Sequence, residues 1–287
     1  MNFRLENIKS AVKYDIEISG PAKTICNIPI SHDKPTEAVM ETGVLKQILE
    51  EAEKEEVLLI NLVLNHFSDL FLDTVKILIE EINKTISQGV ELSISFPIED
   101  AEEFIANKEK LKEILLEQNI DISHYFLLPE LFAQVGTDLG KFIKEMAFES
   151  IHDSKIHTLF PLDESTQTLF LKGIKDFFNA TDIWKTYRLE FLNSYDLKDT
   201  KRYQTFIEKM NQQAEIIYSF LPTIPKEYLN EYDVLEDFEI RPGVCLGGSI
   251  NAAYGLNGEK KICLQESDRS KMCYFDKKED SHGCSID

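Results

Sequence analysis

The apolar positions of this chain change period in a regular way. Residues 15–19 (DIEIS) alternate polar and apolar, the period of a strand, and run into Gly20-Pro21, a loop signal. Residues 36–54 set apolar side chains at helical spacing in an acidic background and predict an amphipathic helix. Residues 57–64 (VLLINLVL) are a short apolar run suited to a buried strand. Residues 69–87 return to helical spacing, with Leu70, Leu72, Val75, Leu78, Ile79 and Ile82 on one side, and Gly89 stops that helix.

The alternation then recurs. Strands are predicted at 90–96 (VELSISF), 120–128, 155–160 and 187–192, and helices at 100–118, 137–149, 165–178 and 199–221. Six consecutive strand–helix units require a parallel sheet with right-handed crossovers, which places the fold in the α/β class. The apolar strands suit a sheet covered by helices. Two architectures share this pattern, a doubly wound open sheet and a complete or partial βα barrel, and periodicity does not separate them. Both bind ligands at the carboxyl ends of the strands. The body of the chain is expected to span residues 1–230, and a second module 231–287.

Charge narrows the partners. Of 287 residues, 31 are Lys or Arg and 51 are Asp or Glu, a net charge of −20. Nucleic acid and anionic membranes both need a positive field, so neither is expected as a partner. The first twenty residues lack the apolar run of a signal peptide, and the longest apolar run, 57–64, is too short to span a bilayer. A soluble, cytoplasmic protein is expected.

The loops after the strands hold no glycine-rich phosphate loop, no nucleophile elbow and no HExxH. His32 and Asp33 follow the first strand, and His66 and Asp69 the second. Each pair has the donors for a metal or a proton shuttle, though surface and helix-capping roles are the commoner use of such pairs. His124 falls in a strand pattern and is expected as a satisfied core residue. Asp15, Glu17 and Asp121 also fall in strands, and their alternation predicts an outward face.

The cysteines are lopsided. Cys26 stands near the start, and the other four fall in the last 43 residues. From Tyr232 the chain turns rich in glycine and charge. Residues 249–254 and 261–264 predict two short strands joined at Leu256-Asn257-Gly258, an Asn-Gly hairpin signal that can bring Cys245 and Cys263 near each other. Twelve residues separate Cys245 from Gly258, four separate Gly258 from Cys263, nine separate Cys263 from Cys273 and ten separate Cys273 from Cys284. Four clustered thiolates in a chain without a secretion signal point to a metal, as a [4Fe–4S] cluster or tetrahedral zinc. The spacings are too wide for CxxC-based zinc knuckles. Four reduced thiols without a ligand are the bland alternative, and Cys26 reads as an odd thiol.

Cys245-x12-Gly258-x4-Cys263 resembles the opening of the SPASM or Twitch extension of radical S-adenosylmethionine enzymes. The resemblance implies a partial (βα)6 barrel followed by a cysteine-rich hairpin module. In it Cys245, Cys263, Cys273 and Cys284 would hold one auxiliary [4Fe–4S] cluster, with Gly258 in the turn. The CxxC stretch of a full SPASM domain is absent, so a single-cluster Twitch-like module is implied.

Active members of that family carry CxxxCxxC after the first strand. Here the corresponding positions are Cys26, Ile30 and Asp33. Ile30 has no donor atom, and Asp33 is a hard oxygen donor unsuited to an iron–sulfur cluster. The Gly-Gly-Glu-Pro-like motif after the second strand is replaced by Asn65-His66-Phe67-Ser68. Both halves of the cofactor site are missing, so no S-adenosylmethionine is expected. The resemblance implies a catalytically silent relative acting as partner, scaffold or electron relay for an active maturase, or binding a ribosomally made peptide or protein. Two alternatives stand beside it. One is a metal-dependent enzyme using His32, Asp33, His66 and Asp69. The other is a zinc-stabilised binding module.

Overall fold

The computed structural model describes residues 12–20, 23–25, 28–30, 38–64, 69–86, 89–146, 155–159, 161, 163–181, 188–191, 205–206, 208–209, 217–220 and 251–261. The strands are β1 (Lys13–Glu17), β2 (Lys23–Ile25), β3 (Ile28–Ile30), β4 (Leu59–Val63), β5 (Glu91–Ile98), β6 (Asp121–Leu127), β7 (Lys155–Thr158), β8 (Arg188–Phe191), β9 (Ile217–Phe220), β10 (Asn251–Tyr254) and β11 (Lys260–Lys261). The helices are α1 (Thr42–Lys54), α2 (Asp69–Thr85), α3 (Ala101–Gln118), α4 (Phe132–Glu145) and α5 (Glu164–Thr181).

Nine strands form one sheet in the order β11-β10-β1-β4-β5-β6-β7-β8-β9, and β2 and β3 form a separate antiparallel pair. From β1 to β9 every pairing is parallel, and each new strand joins beside the last. Right-handed crossovers that always step the same way put every helix on the same face. The core obeys this rule. Tyr14, Ile16, Ile60, Leu62, Ile94, Phe96, Tyr125, Leu127 and Ile156 share one buried cluster with residues from all five helices. From β1 to β9 there is no reversal of strand order, unlike a doubly wound sheet, so of the two architectures open in the sequence this one is excluded.

The helices follow their sequence signals, with shifted ends. Asp100 caps α3 by accepting a hydrogen bond from Glu103 N at 2.9 Å, and Asn119 closes it in the left-handed region at φ 52°. The helix predicted from residue 36 begins at Thr42, because residues 38–40 run back along the end of β1. There Gly20 N donates to Ala38 O and Met40 N to Ile18 O, each at 3.0 Å. The helix predicted from residue 137 begins at Phe132, led in by the 3₁₀ turn Pro129–Leu131.

Two corrections fall on strands. Pro97 lies inside β5 rather than ending it. The β4 pairing has already stopped at Val63↔Ser95, so on that side the proline interrupts no ladder. The helix predicted over 199–221 is helical at residues 205–206 and 208–209, but residues 217–220 (IYSF) are strand β9, paired with β8. Ile, Tyr and Phe fit a pleated surface, and pairing in the sheet outweighs helical spacing there.

Candidate functional site

A sheet with all its helices on one face leaves the other face to be explained. Alternation along β1 turns Lys13, Asp15 and Glu17 away from the helices, and the parallel register extends that face across the sheet. Asp15 pairs in register with Asn61, and Asn61 with Ser93. One step along the strands, Glu17, Val63, Ser95, His124, Lys155 and Arg188 form a row; the next row holds Phe126, His157 and Glu190. This face is polar and yet buried. Asp15 is 1% exposed, Glu17 5%, and Asn61, Ser95 and His157 are fully buried.

Its first part is a hydrogen-bonded chain. Asn61 Nδ2 donates to Asp15 Oδ1 at 2.8 Å, and Asn61 Oδ1 accepts from Ser95 Oγ at 2.9 Å and from Ser93 Oγ at 3.2 Å. Lys13 Nζ lies 2.9 Å from Asp15 Oδ1. Asn61 is thus the hub that joins β1, β4 and β5 through side chains. A buried polar group left unsatisfied costs about 1–3 kcal/mol, so a network on this face is kept only where it is well satisfied.

The second part is a pair of histidines. His124 Nδ1 and His157 Nε2 are 2.9 Å apart, with ring centroids 4.9 Å apart and planes at 61°. A register shift between Ile94 and Ser95 makes the contact possible. Ile94 pairs with Ile122 and Ser95 with His124, so Ser123 is the extra residue of a bulge. Without it the phase of β6 would send His124 toward the helices. The β2–β3 hairpin lies close by, with β3 packed on β5 and β6.

A third cluster ties the C-terminal hairpin to the body. β10 joins the main sheet in parallel beside β1, and β11 folds back antiparallel on it. Gly258 has φ 79°, which a residue with a side chain adopts at a cost, and its N–H donates to Gly255 O at 2.9 Å. The glycine singled out in the sequence therefore does sit in a turn that requires it. Beyond the turn, Lys260 Nζ meets Glu51 Oε1 on α1 at 2.7 Å and Glu55 Oε1, the residue that caps α1, at 3.2 Å. It also lies 5.5 Å from the centre of the Tyr14 ring and 5.6 Å from that of Tyr254. Tyr14 donates its hydroxyl to Glu55 Oε2 at 2.8 Å. Burial, aided by the neighbouring Tyr254 and the hydrogen bond to Glu55, raises the Tyr14 phenol well above its usual range. Burial acts to lower the Lys260 ammonium, but its hydrogen bonds to Glu51 and Glu55 and the neighbouring Tyr254 outweigh that and raise it.

The residues singled out in the sequence fare unequally. Asp15 and Glu17 do not face outward; they are buried on the face of the sheet opposite the helices. Asp121 is exposed at the start of β6, as expected. His124 is not part of the apolar core; it is half-buried on the polar face against His157. Asp69 opens α2. Cys26, His32, Asp33, His66, Cys245, Cys263, Cys273 and Cys284 lie outside the described residues. Among the described residues no three His, Cys, Asp or Glu side chains converge to hold a metal, and no helix is long and apolar enough to cross a membrane. The inner face itself went unread, although its signal was present. Asp15, Glu17, Asn61, Ser93, Ser95 and His157 interrupt strands that a parallel sheet should keep apolar.

The segment after β1 bears on the cofactor of the resembled family. Ile30 is a strand residue of β3, paired in register with Lys23. Of the three positions that would carry cluster thiolates, one is Cys26, one is this Ile30 and one is Asp33. A single thiolate with one carboxylate does not fit a [4Fe–4S] cluster.

No family model and no curated protein matches the chain. Solved structures do match it in fold. SuiB of Streptococcus suis bound to its precursor peptide SuiA has a TM-score of 0.50 at 14% identity, over 93% of this chain and 65% of SuiB. SuiB bound to S-adenosylmethionine gives 0.49 at 14% identity, over 88% and 60%. HydG, a maturase of the [FeFe]-hydrogenase, gives 0.38 at 10% identity, over 76% and 54%. At such identities the likeness is one of fold: a mostly parallel α/β sheet with helices, as in SuiB. The chain spans 60–65% of the length of SuiB.

Proposed function

We propose that this protein is a partial (βα)6 barrel of the radical S-adenosylmethionine type that has lost cofactor cleavage and serves as a partner or scaffold in the modification of a ribosomally made peptide or protein. The observation that carries the reading is the β2–β3 hairpin. Counted from Cys26 at the family's spacing, Ile30 falls where the second cluster thiolate would be, and it is a strand residue of β3 paired with Lys23. The one-way strand order, the helices on a single face and the buried polar inner face suit a barrel interior. The fold shared with SuiB, which was crystallised with its precursor peptide SuiA, supports a peptide as the partner. The net charge of −20 favours a basic one.

In this reading Cys245, Cys263, Cys273 and Cys284 hold one auxiliary [4Fe–4S] cluster. Four thiolates are the donor set such a cluster takes. The β10–β11 hairpin carries the segment's turn and is anchored on α1 through Lys260. The cluster would supply an electron-transfer centre to an active maturase, while the barrel binds the peptide.

Anaerobic purification followed by iron, sulfide and zinc analysis tests the tail. About four irons with matching sulfide per chain, as one Cys₄ cluster requires, are expected. They should be lost in the Cys263→Ser/Cys273→Ser variant. Stoichiometric zinc without sulfide would overturn the cluster and favour a zinc-stabilised module.

A further inference from the structure

The His124–His157 contact has a property that neither the fold nor the proposed partner role assigns. We propose that the two histidines form a single-proton dyad, in which the pair holds at most one proton beyond neutrality while the inner face keeps its observed packing. The reason lies in the contact itself. An imidazole nitrogen within 2.9 Å of another must donate while the other accepts. Two neutral rings meet that condition, and so does one imidazolium with one neutral ring. Two imidazolium ions do not, because each nitrogen then carries a proton and neither accepts. The second proton therefore breaks the contact and forces the rings apart.

The surroundings strengthen this. His157 is fully buried, and a buried cation is costly. His124 is half-buried, which gives the pair a route to solvent on one side. Along that row the register position beside His124 is Lys155 on β7, and the next is Arg188 on β8. In the adjoining row the register position beside His157 on β8 is Glu190. On β5 the neighbour is Ser95, which is neutral. The hairpin strand β3 packed on β5 and β6 contributes Ile28, Pro29 and Ile30, with no titratable group. Glu17 lies in the same row but three strands away. The bulge at Ser123 turns His124 into this contact, and bulges re-aim side chains at functional sites. The inner face thus carries a pair that takes up one proton with its contact intact and opens on the second.

Ring nitrogen NMR on the full chain labelled with ¹⁵N-histidine tests this. In the wild type the two rings should titrate together in two macroscopic steps more than about one pH unit apart. At pH 8 a scalar coupling should cross the hydrogen bond between His124 Nδ1 and His157 Nε2. His124→Gln should return His157 to a single step, and His157→Gln should do the same for His124. Circular dichroism checks that each variant folds, and the wild-type coupling keeps the test valid if one does not. Independent titration of the two rings, each unchanged by loss of the other, would overturn the dyad. So would the absence of the coupling at pH 8. Neither result bears on the cysteine cluster.

Discussion

Gly173→Ala should destabilise the protein, although alanine is the better helix former. Gly173 lies in α5 against the start of α4, and a Cβ built on it would stand 2.0 Å from Phe132 C, 2.2 Å from Phe132 O and 2.5 Å from Ala133 N. All three are backbone atoms, so no side chain can rotate away. The helices would have to part until the nearest approach grows from 2.0 Å to at least 3.4 Å. The opposite helix is equally intolerant. A Cβ on Gly136 would meet Gly173 O at 2.4 Å, and one on Gly140 would meet Phe177 O at 2.6 Å. Parting the helices also disturbs the edge-on contact of Phe132 and Phe170, whose centroids are 4.9 Å apart. Overpacking costs about 1–3 kcal/mol and the ring contact about 0.5–1.5 kcal/mol, against a helix-propensity gain of about 1 kcal/mol. A net loss of about 2 kcal/mol follows from these terms. Gly43→Ala in the first turn of α1 is the control. It meets nothing within 4 Å and should gain up to about 1 kcal/mol. Urea unfolding at pH 7, read as midpoints at unchanged slope, measures both. If Gly173→Ala unfolds no earlier than the wild type while Gly43→Ala behaves as stated, the close seating of α4 on α5 is wrong.

Asn61→Leu should cost about 3 kcal/mol, since it strips a donor from buried Asp15 and the shared acceptor from Ser93 and Ser95. Ser93→Ala removes only the 3.2 Å bond and should cost about 1 kcal/mol or less, so equal urea midpoints for the two variants would deny Asn61 its role as hub. The hairpin anchor should make the protein sensitive to alkali. Tyr14, raised by burial, and Lys260, raised by its carboxylate and phenol partners, both keep their protons longer folded than unfolded. Their contribution is therefore complete below about pH 10 and is lost as pH rises through the folded values. In the Tyr14→Phe/Lys260→Met variant, stability followed from about pH 9 to 11 should fall less steeply than in the wild type. An identical slope would mean that the two groups are not linked to folding.

The order of strands and helices was legible because each strand–helix unit carries its own periodicity, and local apolar spacing is what folds it. What local spacing does not contain is partnership. Residues 217–220 read as the end of a helix, and they become β9 only because β8 offers an open edge. Residues 38–40 carry helical spacing, but the bonds of Gly20 and Met40 hold them against the end of β1. The inner face was partly legible. Asp15, Glu17 and Asn61 share one phase across neighbouring strands, which an outward face would also explain until the helices are known to lie on one side. His124 was not legible at all, because one extra residue, Ser123, reverses its phase, and no pattern in DISHYFL marks a bulge. Gly258 was legible from Asn257-Gly258, since that dipeptide signals a turn without reference to the rest of the chain.

The central claim is that the segment after β1 no longer supports cleavage of S-adenosylmethionine. The direct measurement is 5′-deoxyadenosine formed by the full chain after reconstitution with iron and sulfide, incubated anaerobically with S-adenosylmethionine and a low-potential reductant. The hairpin that places Ile30 in β3 predicts none above the protein-free background, whatever the iron content of the tail. Turnover above background that disappears in Cys26→Ala would contradict it, and would restore a catalytic cluster to a loop with one thiolate.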